Sequence, residues 1–249
     1  DQDVLTALRF KGEEPTDTRF ISNNGNKNRL FSSQIDFTGK IKKLGLEFGG
    51  KFSDVKTTST LAFFDDESGK LEQRPDKSSV FDYKERNVAL YGSLDYAWKK
   101  WSWKAGLRGE YTDLEGIVSQ PADINTRDYF VLFPTFYMQY ALTDAQQFGF
   151  SYGKRISRPA YSWLNPAKSY YNRFSYFQGD PRLRATIVHN LNLTWTNNNW
   201  NIDLFYRFEK WPNMEISRQD NINHQLIFLY TNIKKGQGAG IDLGKSVQL

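Results

Sequence analysis

The chain has 249 residues, 16% of them aromatic, with a net charge of +5, no cysteine and a mean hydropathy of -0.65. No run approaches the roughly 18 apolar residues a membrane helix needs, and the lack of cysteine removes disulfide frameworks and thiolate chemistry. Lys and Arg are scattered among acids rather than gathered as a nucleic-acid surface requires, so no nucleic-acid partner is expected.

In chain order, residues 1–28 read mainly as loop: Val4-Leu5-Thr6-Ala7-Leu8-Arg9-Phe10 suits the end of a preceding strand, and 11–28 is polar with Asn-Asn-Gly-Asn at 23–26. From about 29 to 249 the chain reads as one β segment. A strand over about 30–39 sets Phe31, Ile35 and Phe37 against Ser32, Gln34, Asp36 and Thr38. A second runs from Leu44 to about Phe64, and 65–78 is charged and loop-like. The third, about 80–98, opposes Val88, Leu90, Leu94, Tyr96 and Trp98 to Asn87, Ser93 and Asp95. The fourth, about 101–117, opposes Trp101, Trp103, Ala105, Leu107 and Tyr111 to Ser102, Lys104, Arg108, Glu110 and Thr112. A long polar connection is expected over 118–127, then strands over about 128–142 and from Phe148 to about Arg155.

After a loop over 157–182 comes the clearest unit, a hairpin turning at Asn197-Asn198-Asn199. Trp200, Ile202, Leu204, Tyr206 and Phe208 alternate with Asn201, Asp203, Phe205, Arg207 and Glu209, and Ile187 to Trp195 repeats the pattern. A period of two is what a strand shows when its faces meet different surroundings. A ninth strand is expected over about 225–249.

Two regularities stand above single strands. Connections near 40, 99, 144 and 198 are short, while those near 71, 122, 170 and 220 are mostly long, the asymmetry of outer-membrane barrels. Trp98, Trp101, Trp103, Trp195 and Trp200 lie within about three residues of short turns, suiting the headgroup layer. A soluble antiparallel sandwich also alternates. Strand runs of 15 or more residues, against a usual length of about 5–6, favour an all-β, antiparallel up-and-down transmembrane β-barrel. Nine to ten strands are present.

The wording is also familiar. Phe81-Asp82-Tyr83-Lys84-Glu85, Ala105-Gly106-Leu107-Arg108-Gly109-Glu110-Tyr111-Thr112, Leu132-Phe133-Pro134 and Arg155-Ile156-Ser157-Arg158-Pro159 resemble the barrel of Bacteroidetes-type TonB-dependent receptors. So do Leu164-Asn165-Pro166, Gly179-Asp180-Pro181-Arg182-Leu183 and Tyr230-Thr231-Asn232-Ile233. The resemblance covers most of 30–249. It implies a bacterial outer-membrane location, contact with membrane lipid, and import of a bulky nutrient through a plugged 22-stranded barrel energised by the TonB complex. Departures accompany it. No plug or TonB box is evident, and Arg184-Ala185-Thr186 stands where the family usually has Lys-Pro-Glu. The chain ends on Leu249 rather than an aromatic, so a fragment of a larger receptor is expected. A complete ten-stranded barrel, working as a porin or lipid hydrolase, and a soluble carbohydrate-binding β domain are the alternatives. An opening at Asp1 without a charged-then-apolar leader implies that any signal peptide has been removed or lies outside this sequence.

No cofactor, metal or catalytic group is expected. His189 sits on the apolar side, where a hydrolase would need a nucleophile and an orienting acid beside it; packing is the simpler role. Asp65-Asp66-Glu67 reads as a solvated acidic loop rather than a cation site. The binding candidate is the loop carrying Tyr161, Trp163, Tyr170, Tyr171, Arg173, Phe174, Tyr176 and Phe177, whose rings and cations suit sugars, flat chelates or anions; packing on itself or on a plug is the competing role. Lys104, Arg108, Glu110, Asp203, Arg207 and Glu209 are expected to line a lumen, chiefly as ion pairs between neighbouring strands.

Overall fold

The computed structural model describes residues 2–8, 16–66, 70–120 and 122–247. Its elements are β1 (Gln2–Leu8), β2 (Thr16–Ile41), β3 (Leu44–Asp66), β4 (Leu71–Gln73), β5 (Ser79–Trp98), β6 (Trp101–Ser119), β7 (Ala122–Ala141) and β8 (Gln146–Ser157). There follow α1 (Tyr161–Leu164), β9 (Lys168–Asn172), β10 (Ser175–Gln178), β11 (Thr186–Asn197), β12 (Trp200–Lys210), β13 (Asn213–Asp220), β14 (Gln225–Asn232) and β15 (Lys235–Lys245). The large sheet runs β1-β2-β3-β5-β6-β7-β8-β11-β12-β15, with β4 beside β3, and a four-stranded sheet runs β13-β14-β10-β9. Neighbours in the large sheet are antiparallel.

At one end β2–β3, β5–β6 and β11–β12 close through two-residue turns whose first residue is left-handed: Lys42 (φ 57), Lys99 (φ 53) and Asn198 (φ 48). Such turns match the twist of the strands they join. Residues directly opposite in a ladder share a face, so the pairing registers define continuous rows. One row carries Trp98, Trp101, Tyr140, Phe148, Trp195, Ile202 and Leu243 across seven strands. The next carries Tyr96, Trp103, Met138, Phe150, Leu193, Leu204 and Ile241. These side chains face outward and stay open: Leu193 is 54% exposed, Leu204 45% and Ile241 58%. On β5 the outward residues are apolar from Trp98 back to Val88, after which comes Arg86. Ten residues of tilted strand make a band about 25 Å tall, the height of the apolar belt on outer-membrane barrels.

The opposite face is filled where it leaves that band. Along β5, Ser79, Phe81, Tyr83, Glu85, Asn87 and Ala89 are buried while the residues between them are exposed. The core lies there, at the long-loop end, in two clusters. Phe20 and Phe63 pack with Tyr170, Tyr176 and Ile227; Phe81, Tyr83 and Val118 pack with Leu164 and Leu183. The small sheet is therefore a cap seated against the inner face of β2, β3, β5 and β6.

Five expectations are corrected. The polar run read as loop up to Asn28 is strand from Thr16, paired with β1 and β3; residues 9–15 lie outside the described residues. The connection over 118–127 belongs to the β6–β7 ladder, which pairs down to Ser119↔Ala122. In both places the strands rise above the apolar band, only isolated residues such as Phe20 and Val118 pack into the core, and the regular hydrophobic period that marks a strand disappears. The ninth strand is two: β14 pairs with β10 and β13 in the cap, and β15 pairs with β12 in the wall. The loop over 157–182 holds α1, β9 and β10. The ten-strand alternative fails among the described residues, because β1 and β15 are the two ends of the sheet order and do not pair.

Candidate functional site

Arg158, one residue beyond β8, crosses the inner face to Glu85 on β5 at 3.0 Å and to Glu110 on β6. It also donates to the Thr112 hydroxyl at 3.1 Å, and Asn87 donates to the same oxygen at 2.8 Å. Tyr83 donates to Glu85 at 2.7 Å and Arg108 to Glu110 at 2.8 Å. Two buried carboxylates are thus held between two guanidiniums, which satisfies charges that burial alone would make costly. That β8 reaches β5 and β6 across this face shows the sheet to be a trough.

The six residues expected to line a lumen lie on this inner face. Lys104 pairs with Glu47 at 2.6 Å, two strands away, and Ser93 donates to the same carboxylate at 2.8 Å. Arg108 is bound to Glu110 as above; Arg207 donates to Glu209 at 2.8 Å, and Asp203 accepts from Thr194 at 2.7 Å. Gly49 makes room for this layer, since a Cβ there would collide with the Ile35 carbonyl and the Tyr91 hydroxyl.

The aromatic loop divides. Tyr170 and Tyr176 are buried against Phe20 and Phe63, and burial pushes the Tyr170 phenol up to about 12. Trp163 stacks on Tyr230 at 3.8 Å, and Phe177 meets the same ring edge-on. Tyr171, 53% exposed, meets Phe228 edge-on, and Phe174 and Tyr161 are on the surface. Arg173 follows Asn172 in the β9–β10 turn, where Asn172 accepts from the Phe174 amide at 2.8 Å. Gly179 passes so close to the backbone of Trp163 and Asn165 that a Cβ has no room, and its amide donates to the Asn165 carbonyl at 2.9 Å. The loop is fastened to β7 by Asn125 on Pro181 O (2.6 Å) and Arg127 on Arg182 O (2.9 Å).

A recess in the wall and a cleft beneath the cap open on the inner face. The recess, of about 770 Å³, is lined from β2 to β8 by Asp36, Glu47, Lys51, Tyr91, Arg108, Glu110, Phe133 and Arg155, among others. Its carboxylates are engaged: Asp36 accepts from Tyr91 and Gln34, Glu47 from Lys104 and Glu110 from both arginines. The cleft, of about 470 Å³, lies between the cap and β2–β3, lined by Asn24, Asn26, Asn28, Thr57, Ser59, Asn165, Lys168, Tyr161 and Phe177. Amides, hydroxyls and two rings face one space there, a surface for hydroxyl-rich or flat polar solutes.

His189 meets the Tyr152 hydroxyl at 2.9 Å and the rings of Tyr152 and Phe208; a serine and a carboxylate are not among those contacts. Asp65 accepts from Lys77 at 2.9 Å, Glu67 is outside the described residues, and no His, Cys, Asp and Glu cluster suited to a metal occurs among the described residues. Asn232 was missed by sequence reasoning. Its amide donates to Arg184 O, Trp211 O and Asn213 Oδ1 at 3.0, 2.9 and 2.9 Å and its oxygen accepts from the Arg184 amide at 2.7 Å. It joins the cap to the wall. Only the fold brings those partners together, so the residue carried no local signal beyond its place in a familiar motif.

An outward apolar band rimmed by Trp, a polar inner face and short turns at one end define an outer-membrane β-barrel wall. The chain belongs to the outer membrane protein beta-barrel family, whose pattern matches residues 1–249, and this places it in the bacterial outer membrane. No curated protein matches the sequence. Among solved structures, the copper transporter OprC superposes with a TM-score of 0.68 at 13% identity, over 95% of this chain and 41% of its own. The ferric yersiniabactin uptake receptor FyuA from Yersinia pestis gives 0.55 at 13%, over 92% and 35%. The unliganded ferric citrate transporter FecA gives 0.54 at 11%, over 96% and 34%. The chain therefore spans 34–41% of the length of these three structures.

Proposed function

We propose that this chain is part of the barrel of a TonB-dependent receptor that imports a bulky solute, without covalent chemistry, from the long-loop side to the short-turn side. The observation that carries the reading is the trough itself: a lipid-facing band outside, a charge-paired polar face inside, and a folded cap at the long-loop end with an amide- and ring-lined cleft beneath it. The fold shared with metal and siderophore transporters supports the same direction. A plug bearing the TonB-contacting segment would complete the lumen, and the recess lined by Lys51 and Arg155 is the surface it would meet. The solute would first engage Tyr161, Phe177 and Lys168 in the cleft, with Tyr171, Arg173 and Phe174 presented at the surface of the cap.

The test is uptake in cells carrying the full-length receptor, with and without a working TonB system. Labelled haem, ferric siderophores, copper chelates, corrinoids, oligosaccharides and peptides would be supplied in turn. Accumulation of one bulky solute only when TonB is functional is the expected result. Passive entry of small sugars and salts regardless of TonB would instead favour a porin.

A further inference from the structure

The outer face of the wall closes its own charges on one side and leaves them open on the other. Just above the apolar band on β3, β5 and β6, cations alternate with acids and pair with them: Arg86 with Asp54 at 3.5 Å, Lys56 with Asp54 at 3.7 Å and Lys84 with Glu115 at 3.0 Å. On β12 and β15 the same margin carries Lys210 opposite Lys235, both exposed. Among the described residues, no carboxylate pairs with either lysine. Two lysines facing each other in a ladder repel, and the low dielectric of adjoining hydrocarbon strengthens that repulsion.

Their position gives the counter-charge its chemistry. Trp200 and Lys210 bound β12; ten residues of tilted strand separate them, about 25 Å of height, which is the span of the apolar belt. The lysine cluster is thus level with the headgroups of the leaflet on the long-loop side. Exposed Leu193, Leu204 and Ile241 lie below it, where acyl chains would run. Lysine stems can rest on apolar surface while their ammonium groups reach the headgroup layer, and basic clusters at that depth bind anionic headgroups. We propose that Lys210 and Lys235 form a binding site for the phosphate of a lipid headgroup in that leaflet. The site is independent of transport.

The test uses the full-length receptor in bilayer discs of zwitterionic phosphatidylcholine, titrated with a phosphorylated lipid (lipid A bisphosphate) while thermal unfolding is followed. The expected result is a rise in Tm that saturates with lipid fraction, and half-saturation roughly 30-fold weaker in Lys210→Gln/Lys235→Gln, each lysine contributing about a factor of five. Lys42→Gln/Lys99→Gln, at the opposite rim, should behave as wild type. Lys210→Arg/Lys235→Arg, which keeps the charge, should retain binding and shows that a loss in the Gln variant is not a folding defect. An unchanged response in the Gln variant, or an equal Tm rise from inorganic phosphate without anionic lipid, overturns the assignment.

Discussion

Arg158 ties the end of β8, where the chain enters the cap, to the wall, because it is the shared counter-charge of Glu85 and Glu110, whose side chains are 11% and 6% exposed. Arg158→Ala leaves two buried carboxylates with Arg108 and Tyr83 as their remaining polar partners, and breaking a buried pair of this kind costs about 3–5 kcal/mol. The cost should appear locally, as faster protease cleavage within 158–185 of the full-length protein, while the wall keeps its β circular-dichroism signal. Replacing the trio together, Arg158→Met with Glu85→Gln and Glu110→Gln, should restore much of the resistance, since no charge is then stranded. Tyr170 adds a pH dependence to the same cap. The folded protein holds the phenolic proton up to about 12, whereas the unfolded chain releases it near 10. The group's contribution is therefore complete below pH 10 and lost as pH rises through 12. Cleavage of the cap should accelerate across that window, and less so in Tyr170→Phe.

At the scale of elements, adjacent residues on one strand meet different solvents. Leu193 on β11 lies in the apolar band and is 54% exposed, while Asn192 beside it faces the trough. Leu193→Arg should cost about 2–4 kcal/mol in a bilayer, and Asn192→Arg no more than about 0.5, read as urea midpoints of the full-length protein refolded into vesicles. Equal costs would mean that β11 does not separate lipid from water. This alternation is also why the wall was legible in the sequence: β3, β5, β6 and the β11–β12 hairpin fall within two residues of their expected bounds because one face had to be apolar for their whole membrane height. The cap was not legible. β14 and β10 are apolar on both faces, since Ile227 and Tyr176 pack toward the wall while Phe228 and Phe177 carry ring contacts of their own, so they show no period of two. Their parallel pairing joins segments some 50 residues apart, which local pattern does not encode. The aromatic loop was therefore picked out by composition, but composition could not separate Tyr170 and Tyr176, which hold the cap down, from Tyr171 and Phe174, which remain at the surface.

For the whole molecule the open edges matter most. β2 pairs with β1 only as far as Ser22, so from Asn23 to Ile41 its second edge carries no strand partner among the described residues, and β15 is paired only to β12. In hydrocarbon each unsatisfied backbone group costs several kcal/mol, which is why membranes admit closed barrels and not open sheets. An open sheet bearing this apolar band is stable in a bilayer only if further strands bond to both edges. The share of the transporters that it spans, 34–41% of their length, is about what such a part of a wall would supply. Residues 1–249 expressed alone and refolded into vesicles should therefore give aggregates or edge-paired multimers, with no monomer that resists SDS until boiled. The full-length protein, treated in the same way, should show that heat-dependent shift in gel mobility. A monodisperse, SDS-resistant monomer from residues 1–249 alone would mean that β1 and β15 can meet, and that the wall closes as a small barrel by itself.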